Sequence, residues 1–357
     1  MTRLFFVLLT INAMLPAWGN GTISSEFNLI SYYQPIAIRE FFGEWAPPPT
    51  FKGGNRAFHF ASYEIGYYDH LWGITLFAKD TAEMRFTPDT AELYMLTDNK
   101  LKLPNRIFHI DLKYNRATYF GVRIDRNFKP LPRFSLNVGL SFIGGESLTS
   151  GQLWGNINPS QTGTDFDLGQ AYINYYYSKD DLFDHTVDRP HGAGLGIDTK
   201  LHWRSPTRWE ISSVINNLLA GIYWFNTPHT QAQIISNNKE IINGYVKINP
   251  ILSGRHTSQG FWQKLPLVAD NHISMQAWGP FHWENRVFYS DIFSFISTGA
   301  GLHLSDDHRI KILYTSKTQS LDLQWKSKWC GLSLQSDSGS VNDIRQFGIN
   351  FFVKLEL

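Results

Sequence analysis

Residues 133–143 read RFSLNVGLSFI, in which Phe134, Leu136, Val138, Leu140 and Phe142 alternate with Ser135, Asn137, Gly139 and Ser141. Side chains of an extended strand point alternately to opposite faces, so this stretch has one apolar side and one polar side. The same period of two runs through 108–115 and, after a short polar turn, 118–125, which together predict a hairpin. It returns over 193–204, breaks at Ser205-Pro206-Thr207 and resumes at Trp209. Weaker alternation marks 71–78, 168–177, 219–226, 271–278, 292–304, 308–315 and 319–326. The chain closes on RQFGINFFVKLEL, where Phe347, Ile349, Phe351, Val353, Leu355 and Leu357 share one face. The best segments run nine to twelve residues. That length suits a tilted strand crossing a bilayer (~9–11) better than a globular strand (about 5–6).

The polar faces sharpen the choice between a soluble sandwich and a membrane barrel. His109, Asp111 and Lys113, with Arg123 and Asp125 on the partner strand, share one side of the hairpin. Asp198, Lys200, His202 and Arg204 share one side of the next strand, and Lys354 and Glu356 one side of the last. In a barrel these groups line the lumen while the apolar face meets lipid. The two signs interleave at spacing two, which favours cross-strand pairing over the single-sign rings that select ions. An occluded lumen tied by ion pairs is the reading favoured over a weakly selective water path. The expected fold is therefore all-β, a transmembrane antiparallel barrel of about 14 strands (12–16). Closure follows because an open sheet edge in lipid would leave backbone groups unpaired.

Composition changes the picture in three places. Hydrophobic residues make up 43% of the 357, too few for a bundle of membrane helices, and a net charge of +1 gives no pull toward nucleic acid. Aromatics reach 15%; Trp72, Trp203, Trp209, Trp224, Trp278, Trp283, Trp325 and Trp329 are read as girdle residues at the membrane interfaces. The single cysteine, Cys330, excludes an intramolecular disulfide and any multi-Cys zinc site. At the N-terminus, Arg3, the apolar run Leu4–Leu9 and the small residues Ala17 and Gly19 form a secretory signal pattern. The expected organisation is a signal peptide over 1–19, an irregular periplasmic or plug-like extension over 20–56 with its Pro47-Pro48-Pro49 and Gly53-Gly54 breakers, and a barrel over 57–357. Loops are expected at 144–167, 179–192, 227–243 and 250–270, with tight turns such as 205–207 periplasmic and long loops extracellular.

An exported chain ending on an aromatic-rich strand resembles a Gram-negative outer-membrane β-barrel protein. That resemblance implies export by a Sec-type route, residence among outer-membrane lipid and recognition of the last strand by the barrel-assembly machinery. Such strands usually end in an aromatic residue, whereas this one ends in Leu357. A second stretch, GLGIDTKLHWRSPTRWEISSVINNLL at 194–219, is similar to hairpins of the long-chain fatty-acid transporter family. Residues 20–56 carry no copy of that family's plug sequence.

Candidate chemistry is sparse. In DDLFDHTVDRPHG, Asp180, Asp181, Asp184, His185, Asp188 and His191 gather oxygen and nitrogen ligands. Mixed Asp/His sets suit divalent metals, with Asp184, His185, Asp188 and His191 the candidates, but the spacing matches no defined metal loop and a solvated loop is the favoured reading. No G-x-S-x-G elbow or H-E-x-x-H helix occurs, and His109 and His202 lack an evident nucleophile partner. The expectation is a non-enzyme without a cofactor that passes a small hydrophobic or uncharged solute. A structural or assembly barrel binding an envelope partner is the alternative, and a lipid-acting enzyme comes third.

Overall fold

The computed structural model describes residues 21–39, 51–99, 101–159, 166–180, 182–183, 185–235, 239–242, 245–248, 251–305 and 307–357. The signal pattern over 1–19 lies outside them. The described chain forms β1 (Thr22–Tyr33), β2 (Arg56–Tyr68), β3 (Trp72–Phe86), helix α1 (Pro88–Asp98), β4 (Phe108–Leu131), β5 (Phe134–Pro159), β6 (Phe166–Tyr177), β7 (His191–Arg204) and β8 (Trp209–Ile235). A two-stranded ribbon follows, β9 (Lys239–Ile242) and β10 (Tyr245–Ile248). The rest comprises β11 (Ile251–Lys264), β12 (Val268–Trp278), β13 (Phe281–Ser290), β14 (Ser294–His303), β15 (Arg309–Thr315), β16 (Ser320–Lys326), β17 (Cys330–Ser336) and β18 (Gln346–Glu356).

Fourteen of these strands close a ring: β1 to β5, then β7, β8 and β12 to β18. The ring is sealed by β18 on β1, in register from Thr22↔Glu356 to Tyr32↔Gln346. Every backbone group along that seam finds a partner, which is what a wall in lipid requires. The outward face is apolar and exposed at Ile74, Phe120, Leu140, Leu195, Ile312 and Leu334 among others. In water such a surface would be costly; in hydrocarbon it is the solvated face. The alternation noted in RFSLNVGLSFI thus has its apolar side toward lipid and its polar side inward.

The two ends of the ring differ. At one end the strands join through short turns around 69–71, 205–208, 279–280 and 304–308, and both described chain ends lie there. Trp72, Trp203, Trp209, Trp278, Trp283, Trp325 and Trp329 sit at or near this rim, as a girdle requires. Trp224 is the exception: it is fully buried inside the lumen, its indole N–H donating to Gln263 Oε1 at 2.9 Å. At the other end the wall rises on one side, where the long upper part of β4 pairs with β5, and those of β5 and β8 pair with β6 and β11. The ion pair Arg116 Nη2–Asp80 Oδ2 (2.9 Å) lies on the outer face there. Helix α1 packs Leu93 against the outer side of β4 at Phe108 and Ile110. Its start is fixed by Thr87, whose hydroxyl accepts from the Thr90 N–H at 3.2 Å, with Pro88 in the first turn.

Three expectations are corrected. The barrel begins at Thr22 rather than at 57, because β1 is a full wall strand; Ser25 and Ser31 on its outward face break the apolar alternation that would mark it in sequence. Residues 40–50 of that extension lie outside the described residues. The hairpin expected over 108–125 is one continuous strand, β4, because Asn115, Arg116 and Ala117 pair with β3 on one side and β5 on the other; His109, Asp111 and Lys113 therefore share a strand with Arg123 and Asp125. Much of 144–167, 227–243 and 250–270 is strand rather than loop. Those segments stand above the lipid, where neither face needs to be apolar and backbone pairing proceeds regardless of side-chain polarity.

One irregularity places interior groups. β8 bends at Asn217, in the left-handed region at φ 57, a conformation asparagine tolerates. Below the bend β8 pairs with β12; above it β8 pairs with β11, and Leu265-Pro266-Leu267 separates those two strands. Asn217 locks the bend, its amide N–H donating to Asp198 Oδ1 (2.7 Å) and its side chain to Pro266 O (3.0 Å).

Candidate functional site

The inward faces of β1 to β4, β7 and β8 build the first ion network. Arg123 lies between three carboxylates: Nη2–Glu64 Oε2 at 2.9 Å, Nε–Asp125 Oδ1 at 3.0 Å and Nη1–Asp198 Oδ2 at 3.2 Å. Lys79 reaches Glu64 (3.4 Å) and Asp198 (3.5 Å), and donates across the lumen to Asn216 Oδ1 at 2.9 Å. Lys200 bridges Glu64 and Glu26, each at 3.8 Å. Three cations therefore face four carboxylates, and Arg123, Asp125 and Lys79 are almost completely buried. Gly139 makes this packing feasible: a Cβ there would stand 2.5 Å from Arg123 Cδ and 2.7 Å from Asp125 Oδ1.

A second network occupies the opposite wall. Arg286 on β13 pairs with Asp270 (2.8 Å) and Asp322 (2.9 Å) and donates to Gln335 Oε1 at 3.2 Å. Nearer the short-turn rim, Lys311 pairs with Glu284 at 2.7 Å, and Glu210 gathers Arg309 (2.9 Å), Arg204 (3.3 Å) and His202 (3.0 Å). A cavity of about 310 Å³ opens in this region, lined in part by Tyr68, Asn137, Lys200 and His202.

Toward the raised end the interior turns aromatic. Phe58 and Phe60 of β2, with Ile30 and Tyr32 of β1, meet Phe288 of β13 and Phe295 of β14 in one buried cluster. Six wall strands separate β2 from β13 by either route round the ring, so these contacts cross the lumen. The Phe58 and Phe288 rings are 5.7 Å apart, edge to face, and Tyr32 stacks on Phe293 at 4.1 Å. Phe293 belongs to the short turn between β13 and β14, which folds inward. A second apolar group near the bend adds Phe77, Tyr119, Ile222, Trp224 and Leu265. Above the aromatic layer a cleft of about 460 Å³ is lined by Arg56, Arg85, Asp111, Lys113, Asp291 and Ile292.

The residues singled out from sequence divide accordingly. Arg123, Asp125, Asp198 and Lys200 meet in one network; His202 and Arg204 join Glu210 at the short-turn rim. Asp111 and Lys113 stand at the other mouth, as does His109, whose Nδ1 lies 2.7 Å from Asn156 Oδ1. His109 and His202 are thus at opposite ends of the wall and share no site. Lys354 and Glu356 lie at the exposed short-turn rim, where Glu356 pairs with Lys328 at 3.2 Å. The sequence reading missed Glu26, Glu64, Lys79, Asp270, Arg286 and Asp322; all sit on strands whose alternation is weak or interrupted. Cys330 is half-buried beside the Ser327 hydroxyl, 3.4 Å away.

The acidic loop after β6 folds over the outside of the raised wall rather than around a common centre. Among the described residues, no three of its acidic and histidine side chains converge; Asp181 and Asp184 lie outside those residues. Asp180 is instead an anchor. It accepts from Tyr175 Oη (2.6 Å), from the Leu182 and Phe183 amides (3.1 and 3.0 Å), and lies 2.6 Å from His185 Nδ1. Burial works to raise its carboxyl, but these hydrogen bonds outweigh it and hold the group well below the usual carboxylate range.

No protein-family model matches the chain, and no curated protein matches it. Among solved structures it is similar to the TodX deltaS2S3 mutant monoaromatic hydrocarbon channel, at 11% identity and a TM-score of 0.43, over 95% of this chain and 91% of that one. It is similar to the Pseudomonas putida toluene transporter TodX at 10% identity and 0.39, over 95% and 90%. A FadL homologue of Pseudomonas aeruginosa stands at 10% and 0.39, over 94% and 90%.

Proposed function

We propose that this barrel resides in the outer membrane of a Gram-negative bacterium, with the short turns periplasmic, and lets a small hydrophobic or uncharged solute pass. The observation that carries the reading is the division of the lumen: an apolar, aromatic layer beneath the outer mouth, and self-neutralised ion pairs below it. A charged solute would have to break buried pairs, whereas an apolar one exchanges one apolar contact for another. The barrel-assembly machinery is the proposed partner of β18 during insertion.

The test is uptake by proteoliposomes carrying lipopolysaccharide, comparing a neutral hydrophobic dye with its sulfonated analogue. Barrel-dependent entry of the neutral dye alone is the expected result. Equal entry of both, or entry of neither above protein-free vesicles, would remove the reading.

A further inference from the structure

We infer that the turn between β13 and β14 is the gate of the lumen and that Arg56 and Arg85 are positioning residues holding it shut; this rests on the passage role proposed above. The turn is internally rigid. The Ser290 amide donates to Phe293 O at 2.7 Å, and the Phe293 amide donates to Ser290 Oγ at 3.0 Å. Movement of this unit therefore carries Phe293 as a whole, out of its stack with Tyr32 and its contact with Phe58 at 6.3 Å.

Beyond these ring contacts, the turn is tied to the rest of the barrel wall by polar groups. Arg56 Nη1 on β2 donates to Ile292 O at 2.8 Å, and Arg85 Nη2 on β3 donates to Asp291 O at 2.7 Å. Lys264 on β11 approaches Asp291 Oδ2 at 3.4 Å, and Lys317 donates to Ser294 O at 2.7 Å. The two arginines come from the wall facing β13, so they span the mouth and pull the turn across it. Their contacts are to main-chain carbonyls near solvent, each worth little net, so they can be exchanged for water. The outer cleft, lined by Asp291 and Ile292, supplies the space into which the turn lifts. A rigid plug held by sliding ring contacts and exchangeable polar ones beneath an open cleft is a two-state element, the kind that opens without disturbing the wall.

Planar-bilayer recording in potassium chloride tests this without any solute. Wild type should be closed with rare openings. Arg56→Gln/Arg85→Gln should raise open probability roughly tenfold or more, given two charge-assisted hydrogen bonds lost. Arg56→Lys/Arg85→Lys should return it toward wild type, and Phe293→Ala should conduct persistently. Heat-modifiable migration on gels verifies that each variant is a closed barrel. Glutamine variants that record like wild type, or a folded Phe293→Ala that stays closed, overturn the gate. A barrel whose conductance responds as described but that takes up no neutral dye supports the gate and defeats only the passage reading.

Discussion

The two halves of the lumen are packed by opposite means. Below, Arg123, Lys79 and Lys200 against Glu26, Glu64, Asp125 and Asp198 make a directional lattice in which each group depends on a named partner. Above, Tyr32, Phe58, Phe60, Phe288, Phe293 and Phe295 make a non-directional contact in which any ring can slide on another. Charges removed from water are strongly bound to their places, because a lost partner leaves a desolvated ion. Apolar rings lose only contact area. The lower half is therefore suited to fix the barrel's shape, and the upper half to yield.

The sharpest way to break that contrast is Arg123→Met. It leaves Glu64, Asp125 and Asp198 without their shared cation and should cost about 3–5 kcal/mol of barrel stability, read as a fall in the urea midpoint of heat-modifiable migration. A change below ~1 kcal/mol would mean that water reaches these carboxylates and the lattice is solvated. Phe288→Ala comes next. Truncating a buried ring costs about 3 kcal/mol where the space cannot collapse, and here the expected loss is at the low end because water can enter from the cleft above. Its signature should be raised ion leakage in a barrel that still migrates as folded.

The smallest effect belongs outside the lumen. Asp180→Asn keeps the shape but removes the charged acceptor of Tyr175, the two backbone amides and His185, and should loosen the loop by roughly 1 kcal/mol. Faster proteolysis within 179–190 with an unchanged urea midpoint is the expected pair of results. The sign of its pH dependence follows from a carboxyl depressed in the folded state. The anchoring is present above the ordinary carboxylate range and is lost only as pH falls below that range. Loop protection should therefore be the same at pH 7 and pH 5; a loss between those values would show that Asp180 is not the group responsible.

How much of this was readable in advance follows from where lipid lies. Strands with hydrocarbon on one side and lumen on the other had to alternate, so β5's lower half, β7 and β18 stood out, and with them Arg123, Asp125, Asp198 and Lys200 on their inward faces and that of β4. β1 was hidden by Ser25 and Ser31, and with it Glu26. β6 and the part of β8 just above Asn217 alternate only weakly, and β11 and the last residues of β8 obey backbone pairing alone, which leaves no period in the side chains. Helix α1 was overlooked although Thr87-Pro88 is a legible start signal. Trp224 resembles the girdle tryptophans in its local sequence, yet it alternates inward between the exposed Tyr223 and Phe225. The turn at 291–293 is hidden by the weak alternation that begins at 292; its role comes from rings on β1 and β2 that lie on the far side of the barrel.

The most direct test is the steady ionic conductance of the native barrel in a planar bilayer, with no solute and no substitution. Side chains that meet across the lumen from β1 and β2 to β13 and the turn after it require a barrel that rests closed, with current near the bare-membrane baseline between rare openings. A persistent ohmic current through every inserted barrel would contradict it.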